Sequence, residues 1–144
     1  MKTQFEMERI WIDETELFYQ VKLQLRSSVC SSNQNVYMQD EILQELIDLV
    51  AQFNNAWGKE PLIWRLFDSD ADDQKISLTF TLIDRTGTIQ VDVWIDDKWD
   101  HDPFDHFHAA FKFRTTMGQL DDLSAQLKRF IRRETDHVSS LYER

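Results

Sequence analysis

Three stretches between residues 75 and 114 alternate between apolar and polar side chains, and this pattern constrains the fold more than any other part of the chain. The predicted strands are 75–84, 88–96 and 107–114. Alternation with a period of two places successive side chains on opposite faces, so each strand buries one face and exposes the other. Gly87 lies in the short connection between the first two strands, where its access to positive φ favours a hairpin turn. The sequence therefore predicts a three-strand antiparallel meander.

Two other segments carry apolar residues at helical spacing. The predicted helices are 39–56 and 117–134. The first has four acids near its start, where the helix dipole favours anions. The second begins with Thr116 followed three residues later by Gln119, which is a capping-box pattern, and the tail to Arg144 is expected to fray or to extend this helix.

Further short strands are predicted at 5–12, 16–26, 27–37 and 62–67. They do not alternate with helices in the regular way that produces a parallel sheet. The expected fold is therefore an α+β domain, built on an antiparallel sheet of six to seven strands with two main helices. No linker or repeat divides the chain, so 1–144 is expected to form one domain.

Charge and cysteine content exclude several classes of protein. The chain has a formal net charge of −10 and a pI near 4.7, which argues against binding to nucleic acid or to anionic membranes. Its single cysteine, Cys30, cannot form an intrachain disulfide. No segment resembles a signal peptide or approaches the ~20 apolar residues of a membrane span. The expected location is the cytoplasm.

The acids are concentrated between Asp68 and Asp105, where eleven carboxylates face three bases and the local charge is −8. Such repulsion lowers stability unless it serves solubility or attracts a basic partner. Trp94 is predicted to lie on the outward face of its strand together with acids, unless another element covers that face. The candidate partner-binding residues are Asp92, Trp94, Asp96, Asp97, Trp99, Asp100 and Asp102.

His106 and His108 are the best candidates for metal ligands. They are two residues apart on a predicted strand, so both imidazoles leave the same face, and Asp100, Asp102 or Asp105 is a candidate third ligand. The alternative is that these histidines occupy the wet face of an acidic hairpin. Because known oxygen-rich sites require a glycine that this segment lacks, the sequence predicts no metal and no cofactor.

Motifs of catalysis are missing from the sequence. The three glycines are scattered, so they form neither a phosphate-binding loop nor a dinucleotide fingerprint. Cys30 lies among serines without a basic neighbour that would activate it. The chain is therefore expected not to be an enzyme.

The order of these patterns resembles uncharacterised bacterial families grouped with WapI-type immunity proteins. The resemblance is carried by hydrophobic patterns over nearly the whole chain, although the acidic segment Asp96 to Asp105 has no counterpart in them. The matching segments are 18–25, 42–53, 64–66, 76–82, 89–94, 111–113 and 119–130. For some members of these families the resemblance implies neutralisation of a toxin.

These observations lead to one expected function and two alternatives. The expected function is a small acidic protein-binding domain, most concretely an immunity protein that neutralises a bacterial toxin through the toxin's basic surface. Nucleic acid and membranes are excluded as partners. The alternatives are a structural domain without catalysis, and a metal-dependent enzyme that uses the segment 96–108.

Overall fold

A computed structural model describes residues 3–66, 74–98 and 106–144 of the chain. Eight strands and two helices lie within these ranges, in an α+β arrangement. Their order is β1 (Thr3–Ile12), β2 (Tyr19–Arg26), β3 (Ser31–Met38), α1 (Asp40–Asn55), β4 (Leu62–Leu66), β5 (Gln74–Leu82), β6 (Thr88–Lys98), β7 (His106–Thr116), α2 (Met117–Ile131) and β8 (His137–Tyr142).

The strands form two four-stranded antiparallel sheets rather than one. Sheet A has the order β3-β2-β1-β8, and sheet B has the order β4-β5-β6-β7. The predicted meander is confirmed as β5, β6 and β7, and Gly87 in its first turn has a φ of 90°. The predicted count of six to seven strands is too low, because the C-terminal tail forms β8.

The tail was expected to fray or to extend the second helix, but α2 ends at Ile131 and a strand follows. In β8, Val138 lies opposite Met7 of β1, and both are fully buried. The side-chain oxygen of Gln119 accepts a hydrogen bond from the backbone N–H of Tyr142 at 3.2 Å. Thr116 caps α2 as predicted by accepting from the N–H of Gln119, so Gln119 joins the start of α2 to β8.

Both sheets contribute their inner faces to one contiguous hydrophobic core, together with one face of each helix. The helices are joined at the surface by a hydrogen bond of 2.7 Å from the amide of Asn54 to the carboxylate of Asp121. The outer faces of both sheets are left open to solvent over much of their area. No helix in the described ranges is long and apolar enough to cross a membrane.

Arg9 joins sheet A to the end of α2. Its guanidinium lies between two aromatic rings, 3.8 Å from the ring centroid of Phe130 and 4.6 Å from that of Tyr19. It donates to the carboxylate of Asp136 at 2.6 Å and to the carbonyl oxygen of Phe130 at 3.0 Å. Burial, together with the hydrogen bond from Tyr19 to Asp40, raises the pKa of Tyr19 well above its ordinary value.

Asp84 closes the turn between β5 and β6. Its Oδ1 accepts hydrogen bonds from the N–H groups of Thr86 and Thr88 at 2.9 and 3.0 Å. Hydrogen bonding from the side chain and backbone of Thr88, and then from Thr86, holds the pKa of Asp84 well below its ordinary value.

Because the folded-state pKa is lowered, the carboxylate of Asp84 stabilises the fold above the unfolded pKa of about 3.9. That contribution is lost as the pH falls towards the lower folded-state pKa. We expect Asp84→Asn to lower the melting temperature at pH 7, and the difference from wild type to shrink steadily below about pH 4. Thermal unfolding followed by circular dichroism over this pH range would measure it, and a difference independent of pH would contradict the prediction.

Candidate functional site

The outer face of sheet B carries the most distinctive surface of the protein. Side chains from all four strands point to solvent there, and strand pairing places them in rows across the sheet. We call it the Trp94 face. It consists of Ile63, Arg65, Lys75, Ser77, Thr79, Thr81, Gln90, Asp92, Trp94, Asp96, Lys98, His106, His108, Ala110, Lys112 and Arg114.

Trp94 lies near the centre of this face, on one of the two inner strands. Its side chain is 39% exposed, so the sequence prediction that it points outward is confirmed and α2 does not cover it. Its cross-strand neighbours are Ser77 on β5 and Ala110 on β7. Both are small, and a shallow cavity of about 290 Å³ opens beside the indole, bordered by Arg65, Lys75 and Ser77.

One edge of the indole is supported by His108. The two ring centroids are 6.0 Å apart and the rings are nearly perpendicular, which is a favourable edge-to-face geometry. His106, two residues earlier, is paired with the carboxylate of Asp96. The hydrogen bond from His106 holds the pKa of Asp96 below its ordinary value.

A second group of polar side chains lies next to Trp94 along β6. The carboxylate of Asp92 is 3.7 Å from the Nζ of Lys112 on β7. Its other oxygen accepts a hydrogen bond of 3.3 Å from the amide of Gln90. Both members of the ion pair remain open to solvent, since their side chains are 38% and 68% exposed.

The charge of the Trp94 face is opposite to that of the whole chain. Its acidic residues are Asp92 and Asp96. Asp92 is paired with Lys112, and Asp96 is paired with His106. Five basic residues share the face, namely Arg65, Lys75, Lys98, Lys112 and Arg114. The described part of this surface is therefore cationic, and the acidic surface open to a basic partner that the sequence predicted is not found there.

The remaining candidate residues are only partly accounted for. Asp97 accepts a hydrogen bond of 3.0 Å from the amide of Gln74, which also donates to the backbone oxygen of Asn35 at the edge of sheet A. Asp97 thus belongs to the junction of the two sheets. Four further candidates lie outside the described residues, and they are Trp99, Asp100, Asp102 and Asp105.

The two histidines considered as metal ligands do leave the same face of β7, as their spacing predicts. His106 contacts Asp96 and His108 contacts Trp94, as described above. Within residues 3–66, 74–98 and 106–144, no group of three or more His, Cys, Asp or Glu side chains is arranged to hold a metal ion.

The sequence analysis did not recognise that basic residues from several strands gather on this face. The strands that carry Arg65, Lys112 and Arg114 lie outside the acidic run from Asp68 to Asp105. Charges were counted along the chain, so these residues were not grouped with Trp94, which neighbouring strands bring close to them. The signal was present in the alternation itself. Lys112 and Arg114 alternate with inward phenylalanines, so they had to share a face with Trp94 once β6 and β7 paired.

Comparisons with known proteins identify no family for this chain. No family model matches it, and no curated protein matches it. Similar solved structures are WHY3 from Arabidopsis thaliana (8% identity, TM-score 0.46) and WHY1 from Arabidopsis thaliana (8% identity, TM-score 0.47). A third is the plant transcriptional regulator PBF-2 (12% identity, TM-score 0.48). Each covers 88% of this chain, and the chain covers 77%, 79% and 71% of them, respectively.

These findings correct several expectations from the sequence. The similar structures are not immunity proteins, so the resemblance to WapI-type immunity proteins is wrong, and with it toxin neutralisation through a protein partner with a basic surface. The exclusion of nucleic acid as a partner is also wrong. It rested on the charge of the whole chain, whereas the open face of sheet B is locally cationic. The resemblance failed because it matched only hydrophobic patterns, which many α+β folds share.

Proposed function

We propose that this protein is a non-catalytic domain that binds single-stranded nucleic acid on the Trp94 face. The observation that carries the proposal is an exposed indole at the centre of a cationic sheet. Stacking on an aromatic side chain is available to every base and contributes about 1–3 kcal/mol per base. The small neighbours Ser77 and Ala110 leave room for a base beside Trp94.

Basic residues on the same face are placed where they could contact the phosphates of a bound strand. Arg65 lies on β4, two strands from Trp94 in the same row, while Lys112 and Arg114 lie on β7 at the opposite edge. Cations that flank a stacking residue are the usual arrangement in sites for single strands. The hydroxyl groups of Thr79 and Thr81, on β5, add hydrogen-bond donors between these edges.

The geometry favours a single strand over a duplex. In a duplex the faces of the bases are stacked on one another, so they cannot lie on Trp94 without unpairing. The open face of a sheet also presents no helix or ribbon that could enter a groove. A single strand offers unstacked bases together with the same backbone charge.

The negative charge of the whole chain limits the range of this attraction without preventing it. Charges further away than about 8 Å are largely screened at physiological ionic strength. Much of the acid lies elsewhere in the fold, for example on the exposed side of α1 at Glu41, Glu45 and Asp48. We therefore expect binding of modest affinity, without the long-range steering that accelerates binding to strongly basic proteins.

Fluorescence anisotropy with labelled single-stranded oligothymidine and oligouridine tests the proposal, with a DNA duplex as competitor. We expect both single strands to bind and the duplex to compete poorly. Trp94→Ala should weaken binding at least about fivefold. The slope of log affinity against log salt should be about −2, as expected for three phosphate contacts.

The matched control is Trp11→Ala, because Trp11 belongs to sheet A and is 48% exposed, slightly more than Trp94. This variant should bind as the wild type does. Absence of binding by the wild type, or equal losses in the two variants, would contradict the proposal.

A further inference from the structure

Next to Trp94, three polar side chains form an ordered set of hydrogen-bonding groups. The carboxylate of Asp92 offers two acceptor oxygens. The amide of Gln90 lies 3.3 Å from one of them, and the ammonium of Lys112 lies 3.7 Å from the other. A carboxylate has about four acceptor positions, so Asp92 can accept further hydrogen bonds while it keeps these contacts.

This set is complementary to one base. Guanine is the common base whose Watson–Crick edge carries two adjacent N–H donors, on N1 and N2, next to a carbonyl oxygen. The two donors match the two oxygens of Asp92, and the carbonyl oxygen matches an N–H of Lys112 or Gln90. We propose that Asp92, with Lys112 and Gln90, selects guanine at the position beside the base stacked on Trp94, an inference that rests on the proposed function.

The other bases fit less well. Adenine and cytosine present one amino group next to a ring nitrogen that is itself an acceptor, so one oxygen of Asp92 would face a lone pair. Thymine and uracil have a single N–H between two carbonyl oxygens. In each case a carboxylate oxygen is desolvated without gaining a partner, and such losses are costly for charged groups.

The position of Asp92 suits a base adjacent to the stacked one. Residues two apart on a strand lie on the same face about 7 Å from each other. Asp92 and Trp94 are two residues apart on β6, and no strand or helix in the described ranges covers them. An acid on a cationic binding face weakens attraction to phosphates, and contact between Asp92 and a base would offset that loss.

The experiment uses an oligothymidine of about a dozen nucleotides with one central guanine. It is compared with the same strand carrying inosine, adenine or thymine at that position. Inosine differs from guanine only in lacking the N2 amino group. We expect the guanine strand to bind about tenfold more tightly than the inosine strand, because one hydrogen bond to a charged group is lost. Matching ribonucleotide strands show whether the preference holds in RNA.

Two variants separate base recognition from charge. Asp92→Asn places a donor where guanine needs an acceptor, so the ratio of guanine to inosine affinity should fall to about one. Asp96→Asn removes the same charge from the same strand and face, but on the other side of Trp94. It should keep the preference. Circular dichroism of both variants controls for folding.

The outcomes distinguish the two proposals. If none of the strands binds, the proposed function fails and the guanine preference fails with it. If all strands bind and guanine and inosine are equal in the wild type, the guanine site is overturned while the proposed function stands. Equal loss of the preference in both variants would also overturn it, because the effect would then be one of charge.

Discussion

Arg9→Ala is expected to lower the free energy of unfolding by about 3 kcal/mol or more. The side chain of Arg9 is 4% exposed, and its guanidinium contacts the rings of Tyr19 and Phe130. A desolvated cation on aromatic rings contributes about 2 kcal/mol. The variant also loses the hydrogen bond to the carbonyl oxygen of Phe130 and leaves a void between β1 and the end of α2.

Chemical denaturation would measure this loss, and Asp136→Ala is the control. Asp136 pairs with the same guanidinium, but its side chain is 75% exposed. Because the carboxylate of Asp136 is solvated, the ion pair contributes less than a fully buried one, and the guanidinium keeps its aromatic contacts and its bond to Phe130 in this variant, so the loss should be clearly smaller than that of Arg9→Ala. The backbone bond from the N–H of Arg9 to the carbonyl oxygen of Asp136 is kept in both variants. If the two variants lose similar amounts of unfolding free energy, the ion pair, rather than aromatic contact and burial, stabilises this junction.

Gly58→Ala is expected to destabilise the protein by about 2–4 kcal/mol, because strain and overpacking add at this position. Gly58 follows α1 with a φ of 63°, a conformation that costs other residues about 1–2 kcal/mol. A Cβ added there would lie 2.7 Å from the Cβ of Leu82 and 3.1 Å from the ring of Phe53. The Cβ of Leu82 is fixed by β5, so β5 or the end of α1 would have to move.

Gly118→Ala provides a comparison with the opposite expected sign. Gly118 lies in the first turn of α2, and the nearest atom to an added Cβ is the Oγ1 of Thr116 at 3.9 Å. Alanine has a higher helix propensity than glycine by about 0.5–1 kcal/mol. Thermal unfolding should therefore show a lower melting temperature for Gly58→Ala and an unchanged or higher one for Gly118→Ala. A decrease in both would mean that loss of glycine, rather than the site, determines the effect.

The parts of the fold that sequence reasoning predicted well are those in which burial follows residue type. The meander and both helices have apolar residues inside and polar residues outside, so the spacing of their apolar residues along the sequence is enough to identify them. β3 was harder, because its buried positions include Ser32 and Gln34. Its burial alternates strictly, but hydrophobicity does not, so the strand was predicted at 27–37 rather than Ser31–Met38.

β8 could not be predicted from its own residues. His137–Tyr142 is short, carries two serines, and is stabilised by pairing with β1 at the other end of the sequence. Ser140 is fully buried there, and its hydroxyl donates to Asp122 of α2 at 2.7 Å. Contacts over such sequence distances leave no local periodicity, so a helix extension or a frayed tail was the natural expectation.

For the Trp94 face, the sequence predicted which way some side chains point but not the charge that surrounds them. Trp94 and Asp92 were correctly placed on an outward face, because that follows from alternation within β6. The charge of the face depends on which side chains neighbouring strands bring to it, and Arg65 is 27 residues from Asp92 along the chain. A count of charges along the sequence therefore found an acidic run, where the register of sheet B places a cationic surface.

The pairing of β1 with β8 also bears on how the protein is made. Thr3 and Ser139 are hydrogen-bonded across 136 positions of sequence, so sheet A can be completed only after α2 has been synthesised. Until then, the edge of β1 that pairs with β8 has no partner within the chain, and unpaired strand edges can pair with strands of other molecules. Assembly dominated by distant contacts is slow. Chaperone demand during translation should therefore be concentrated on this first strand.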